Sequence, residues 1–270
     1  MTRPVRIGVQ LWPGGAPDYA TWRAAVLQAE ELGADAIFGY DHFHRPAVRR
    51  GPNGIELDPV QPDVVNFEGW TALASWGEIT TRPEIGLLVT GMGYRNPDLL
   101  ADMARTVDHI SGGRLILGVG SGWYEKDYRV YGYEYGTLRS RMDVFADGVR
   151  RVAHRLANLT PSPLRPIPIL IGGSGERRTL PLVGQYAQIW HSSMNLAMFR
   201  RKNDLVKQHA ADAGRDDSVI ERAITWTNAA DADQFRAEGV SLYTTEVKPT
   251  EAGYDFTTLA DLLRWRDSNA

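Results

Sequence analysis

The chain has no cysteine among its 270 residues. Disulfide staples, thiolate metal sites and a cysteine nucleophile are excluded at once. No apolar run approaches the length needed to cross a bilayer. Neither sign of charge dominates: 30 Lys and Arg stand against 33 Asp and Glu, a formal net charge of −3. So mild an acidity gives no reason to expect nucleic acid or an anionic membrane as a partner. No Pro/Ser-rich stretch is long enough to divide the chain. The start, MTRPVRIGVQL, passes almost directly into an apolar segment without a signal-peptide pattern. These absences point to a cytoplasmic chain, one domain over residues 1–270.

What is present is an alternation. Apolar runs at 5–11, 36–41, 84–90, 114–120, 167–173, 188–193, 220–227 and 241–247 read as strands. Amphipathic segments at 19–33, 67–80, 96–111, 140–158, 176–187, 197–214, 232–239 and 257–268 read as helices. In the first helix Trp22, Ala25, Val26, Ala29 and Leu32 fall at helical spacing before Gly33. Continuous apolar strands between helices imply a parallel sheet covered by helices. Eight such pairs in one chain of this length predict an α/β fold, the (β/α)8 TIM barrel, over a doubly wound open sheet. Two long irregular segments, 42–66 and 121–139, follow the C-terminal ends of strands, where a barrel places its active site.

Chemistry-bearing residues gather at those exits. YDHFHRP (40–46) brings Asp41, His42 and His44 out of the second strand. A metal needs ligands converging from several elements. These three are near neighbours whose side chains are expected to diverge, and no further cluster completes them, so no metal is expected. Asp41 or His42 then either anchors the loop or meets a ligand, as proton carrier or as donor to a cofactor ring. In LILGVGSGWYEKDY the spacing of Gly118, Gly120 and Gly122 is not the dinucleotide fingerprint. Such residues either serve a tight turn or leave room for a flat ligand and bring amides to an anion. Gly172-Gly173-Ser174-Gly175 lies where a helix is expected to open, and free amides there favour phosphate. Arg177 and Arg178 follow. In the third strand's exit, Tyr94 and Arg95 read as loop anchors and Asn96 as a helix cap. Trp190-His191 reads equally as a pocket wall or as a packed pair.

The blocks AEELGADAIFGYDHFHRP, YRNPDLLADMARTVDHISGGRLILGVGSGWYEKDY, IPILIGGSGERRTLPLVGQYAQIW and LADLLRWRD span nearly the whole chain. With them the chain resembles the bacterial luciferase-like superfamily, in particular its actinobacterial branch of deazaflavin-dependent oxidoreductases. The resemblance implies a (β/α)8 barrel, with coenzyme F420 as cofactor or, in other branches, FMN. It implies that Asp41 and His42 lie against the deazaflavin. A bulge near Leu88-Val89-Thr90 would support the back of the ring, often through a non-prolyl cis peptide whose position stays open here. It also implies that Gly120, Ser121 and Gly122 approach the cofactor's chain and that Gly172 to Gly175 contact its phosphate.

The implied reaction is hydride transfer with a small-molecule organic substrate whose identity stays open. His42 would donate to or polarise ring or substrate, and Asp41 would orient the cofactor. His44, Glu125 and His191 are further candidates for substrate contact. The sugar-phosphate and alcohol dehydrogenases of this type place a Trp shortly after the Asp-His pair, where this chain has Phe43-His44-Arg45-Pro46. They tend to carry Glu after the fourth-strand glycines, where it has Trp123. LTPSPLRPIP is shorter than the insertion common before the fifth strand, implying either an open pocket or a lid supplied by 42–66. The alternatives are an FMN-dependent monooxygenase on the same fold and a non-catalytic deazaflavin-binding protein. A homodimer is the family's habit and is expected here.

Overall fold

Each apolar run becomes a parallel strand, buried on both sides. The computed structural model describes residues 3–51 and 54–268. The strands are β1 (Arg6–Leu11), β2 (Ala36–Gly39), β3 (Glu84–Leu87), β4 (Leu115–Gly120), β5 (Ile169–Gly172), β6 (Ile189–Ser192), β7 (Glu221–Thr225) and β8 (Val240–Val247). They pair in chain order, and β8 returns to β1, with Ile7 opposite Tyr243. The α/β fold is thus a closed eight-stranded parallel (β/α)8 barrel.

The helices are α1 (Tyr19–Leu32), α2 (Gly69–Ile79), α3 (Pro97–Ile110), α4 (Leu138–Ala157), α5 (Thr179–Tyr186), α6 (Leu196–Asp212), α7 (Ala229–Ala237) and α8 (Thr257–Ser268). Local chemistry starts and stops them. Asp18 accepts from the Thr21 amide before α1, and Gly33 ends that helix at φ 105°. Asn96 accepts from the Asp98 and Leu99 amides, and Pro97 occupies the first turn of α3.

Strand side chains divide between two cores. Ala36, Phe38, Ile116, Leu170, Ile189, Ala223 and Leu242 fill the barrel interior. The outward residues, such as Ile37, Leu117 and Ile171, join the helices' apolar faces in a larger layer. At the N-terminal end Arg6 closes the barrel electrostatically, reaching Glu84 on β3 and Glu221 on β7. No helix among the described residues is long and apolar enough to cross a membrane.

Four local departures from the sequence reading matter for the site. β3 stops at Leu87 rather than 90; the bulge that the resemblance implied follows, with its cis peptide at Leu88–Val89, and the chain pairs with β4 again at Thr90–Gly91. Segment 42–66 contains an antiparallel hairpin, Val48–Gly51 with Gly54–Leu57. Segment 121–139 contains a short helix, Glu125–Val130. Helix α5 begins at Thr179 rather than 176, because the Gly175 carbonyl gathers the amides of Arg178, Thr179 and Leu180 into a tight preceding turn.

Candidate functional site

The C-terminal strand ends surround a cavity of about 500 Å3, in the size range of small-molecule sites. Its floor is the bulge after β3. The Gln10 side chain donates to the carbonyls of Leu88 and Gly39, tying that bulge to β1 and β2. Val89 is seated over glycines. A Cβ at Gly120 would lie 2.7 Å from Val89 Cγ2, and one at Gly172 would lie 3.1 Å from Val89 Cγ1. These two glycines therefore admit the bulge itself. Gly122 meets the turn demand instead, with φ +73° and Tyr128 Oη 2.0 Å from any added Cβ.

One wall comes from the exits of β2, β3 and β4. Asp41 is 2% exposed and takes both arms of Arg95, at 2.6 and 2.9 Å, plus the Gly91 amide at 3.0 Å. Burial pushes its carboxyl up from the ordinary range, against the pull of Arg95 and that amide. His42 turns Nδ1 to Asp127 Oδ2 at 2.8 Å, and His44 turns Nδ1 to Asp127 Oδ1 at 2.9 Å. The Tyr94 hydroxyl donates to the same carboxylate at 3.0 Å. Burial alone would raise Asp127; the bonds from His42, His44 and Tyr94 outweigh it and hold it below the ordinary carboxylate range. Trp123, 46% exposed, edges onto His42 at the mouth.

The other wall comes from β6, β7 and β8 and is rich in hydroxyls: Ser192, Ser193, Thr225, Thr244 and Thr245. His191 Nε2 lies 2.8 Å from Thr244 Oγ1. Burial pushes the His191 imidazole down to about 4, so it is neutral at pH 7. Ser192 Oγ is buried without a hydrogen-bond partner among the described residues. Gly172, Gly173 and Ser174 form the rim. Beyond them the amides of Ser174 to Arg177 donate to nothing among the described residues, as at any opening helical turn. The Gly173 amide is not free: it donates to the His191 carbonyl at 3.0 Å. Arg178 pairs with Asp143, while Lys202 caps the Ser174 carbonyl at 2.7 Å.

Of the residues singled out in sequence, Asp41, His42, Leu88, Val89, Gly120, Ser121, Gly122, Gly172, Gly173, Ser174 and His191 line this cavity. Thr90, Gly175, His44 and Glu125 do not. Thr90 is wholly buried and accepts from Trp70 Nε1. Glu125 points to solvent. The expected divergence of His42 and His44 is overturned, because the turn between them brings both Nδ1 atoms onto one carboxylate. That carboxylate, Asp127, was missed. Its only signal was an acid in WYEKDY two residues beyond Glu125, which on a helix faces about 200° away. Among the described residues no group of three or more His, Cys, Asp or Glu side chains is arranged to hold a metal ion. Of segment 42–66, only His42 among the described residues lines the cavity.

Fold and site together define a parallel (β/α)8 barrel with a small-molecule cavity over its C-terminal strand ends. Residues 4–262 match the family described as luciferase-like monooxygenase, and the chain belongs to that family. It is similar to a phthiodiolone/phenolphthiodiolone dimycocerosates ketoreductase of Mycobacterium tuberculosis, 27% identical, with 89% of this chain and 73% of the relative covered. Among solved structures it resembles an F420-dependent secondary alcohol dehydrogenase in complex with an F420-acetone adduct, with TM-score 0.77 and 16% identity over 92% of this chain and 95% of the other. It also resembles the FMN complex of the oxygenating constituent of 3,6-diketocamphane monooxygenase from Pseudomonas putida. That match has TM-score 0.62 and 16% identity over 83% of this chain and 67% of the other. At such identities the structural likenesses establish the fold alone.

Proposed function

We propose that the chain is an oxidoreductase that transfers a hydride between coenzyme F420 and a small organic substrate. The observation that carries this reading is one cavity lined both by His42 and by the Val89 bulge, with Gly172 and Gly173 on its rim. The residues present fit a flat ring with a phosphate-bearing chain. Leu88 and Val89 offer an apolar floor beside the rim at Gly172 and Gly173. The amides of Ser174 to Arg177 form an anion-binding turn beside it. When bound, a deazaflavin supplies or receives a hydride at its C5 carbon and exchanges single electrons poorly.

The chain's own contribution is orientation, shielding and proton handling. His42 Nε2 takes the hydroxyl proton of a substrate being oxidised, or returns one to the oxygen of a carbonyl being reduced. Asp41 works at one remove, because Arg95 and the Gly91 amide occupy its carboxylate. It holds the β3 exit in place. Similarity to an F420-dependent dehydrogenase and to a ketoreductase supports this reading.

A second reading, FMN-dependent monooxygenation, is favoured by the family's description and by the likeness to an FMN complex. Titration with each cofactor, followed by quenching of tryptophan fluorescence, separates the two. Trp123 at the mouth is a reporter. Tight F420 binding with little FMN binding, then turnover without oxygen, is the expected result. Preference for FMN with oxygen-dependent turnover would replace it, and F420 binding without turnover over a broad substrate panel would leave a binding protein.

A further inference from the structure

Asp127 is wholly buried and receives four hydrogen bonds. They come from His42 Nδ1 at 2.8 Å, His44 Nδ1 at 2.9 Å, the His44 amide at 3.0 Å and the Tyr94 hydroxyl at 3.0 Å. A carboxylate offers about four lone-pair positions, so its capacity is filled. An ionised carboxylate only accepts, and each imidazole must therefore carry its proton on Nδ1. In its neutral form each imidazole has one ring proton, and with that proton on Nδ1 a lone pair is left on Nε2. Neither Nε2 has a hydrogen-bond partner among the described residues, and His42 lines the cavity. Building on the reading that His42 exchanges the reacting proton, we propose that Asp127 is a positioning residue. It fixes His42 in the tautomer whose Nε2 accepts, and it holds His44 in the same tautomer through its second oxygen.

Anchoring the loop would need less. The His44 amide alone ties residues 42–46 to the short helix. Here both imidazoles aim the same ring atom at one group. The other titratable groups near them are Tyr40 and Tyr124 beside His42, Tyr131 beside His44, and the Asp41–Arg95 pair behind Tyr94. None of these hydrogen-bonds either ring, so the carboxylate alone sets the tautomer. An oriented imidazole of this kind is how a buried carboxylate acts on a histidine in other proton-transfer sites.

Asp127→Asn keeps the shape but offers one acceptor oxygen and one NH2 donor. It cannot accept from both rings. The ring that meets the NH2 group must accept at Nδ1 and carry its proton on Nε2. The experiment is 15N NMR of the imidazole nitrogens on the full chain with no cofactor or substrate added, with the pH raised until the spectrum stops changing, so that both rings are neutral. His42→Asn and His44→Asn variants assign the two rings. The expected wild-type spectrum shows Nδ1 protonated and Nε2 bare in both, and Asp127→Asn moves the proton to Nε2 in at least one. A wild-type His42 protonated on Nε2, or both tautomers unchanged in a folded Asp127→Asn, overturns the proposal. If that variant does not fold, the wild-type tautomers decide alone. Because nothing is bound, this result is independent of whether F420 or FMN is the cofactor.

Discussion

Asp41 and His42 are adjacent in sequence yet take different partners, Arg95 for the one and Asp127 for the other. Asp41→Asn leaves the Arg95 guanidinium, 12% exposed, without its bidentate partner. Removing one member of such a buried pair costs about 3 kcal/mol. The expected outcome is a lower urea midpoint with an unchanged slope. His191 makes a pH-dependent contribution. Its folded pKa, about 4, lies below the ordinary histidine value of 6.5, so the folded state binds fewer protons than the unfolded chain as pH falls. The stability it lends is complete above the unfolded value and is lost as pH falls from there toward about 4. The loss is at most on the order of 3 kcal/mol, less any solvation by the cavity. Urea unfolding at pH 7 and pH 4 should show wild type losing more stability than His191→Gln over that interval. Equal losses would mean that the cavity hydrates the charged ring freely.

The elements were legible because every strand is a short apolar run bounded by polar turns, and the barrel follows from counting them. Their ends were less so. The apolar pattern of the third strand reads as continuous through Thr90, since EIGLLVT has no polar break; the bulge was expected there from the resemblance alone, and the backbone fixes its cis bond at Leu88–Val89. The hairpin at 48–57 has no apolar alternation to announce it. Asp127 lies 83 and 85 positions from its two histidines, and no local pattern connects them. The glycines were visible but their reason was not, because the atom that needs their space belongs to Val89, in the bulge after β3. That relation is testable. Gly120→Ala sets a methyl 2.7 Å from Val89 Cγ2 and forces the floor to move. Overpacking of this kind costs about 2 kcal/mol. Weaker binding of whichever cofactor the fluorescence titration selects should accompany the lower denaturation midpoint, and Val89→Ala in the same chain should restore part of both.

At the scale of the whole molecule, closure between β1 and β8 makes each strand depend on its neighbours around the ring, and one cooperative calorimetric transition is expected. Arg6 is its most exposed weakness. Arg6→Ala leaves Glu221, 4% exposed, with a hydroxyl from Ser241 but no cation. A cost of about 3 kcal/mol would lower the midpoint of a chain this long by roughly 6 °C. The ring also divides its site. Asp41, His42, Tyr94 and Asp127 come from the first four strand–helix units. The rim at 172–174, His191 and the hydroxyl wall come from the last four. The exposed connection at 160–166 joins the two sets at the far end of the barrel. A polypeptide cut there would yield two fragments, one with Asp41, His42, Tyr94 and Asp127 and the other with the glycine rim, His191 and the hydroxyl wall. Cofactor binding recovered on mixing them would then count reassembled barrels, making the molecule a reporter of its own complementation.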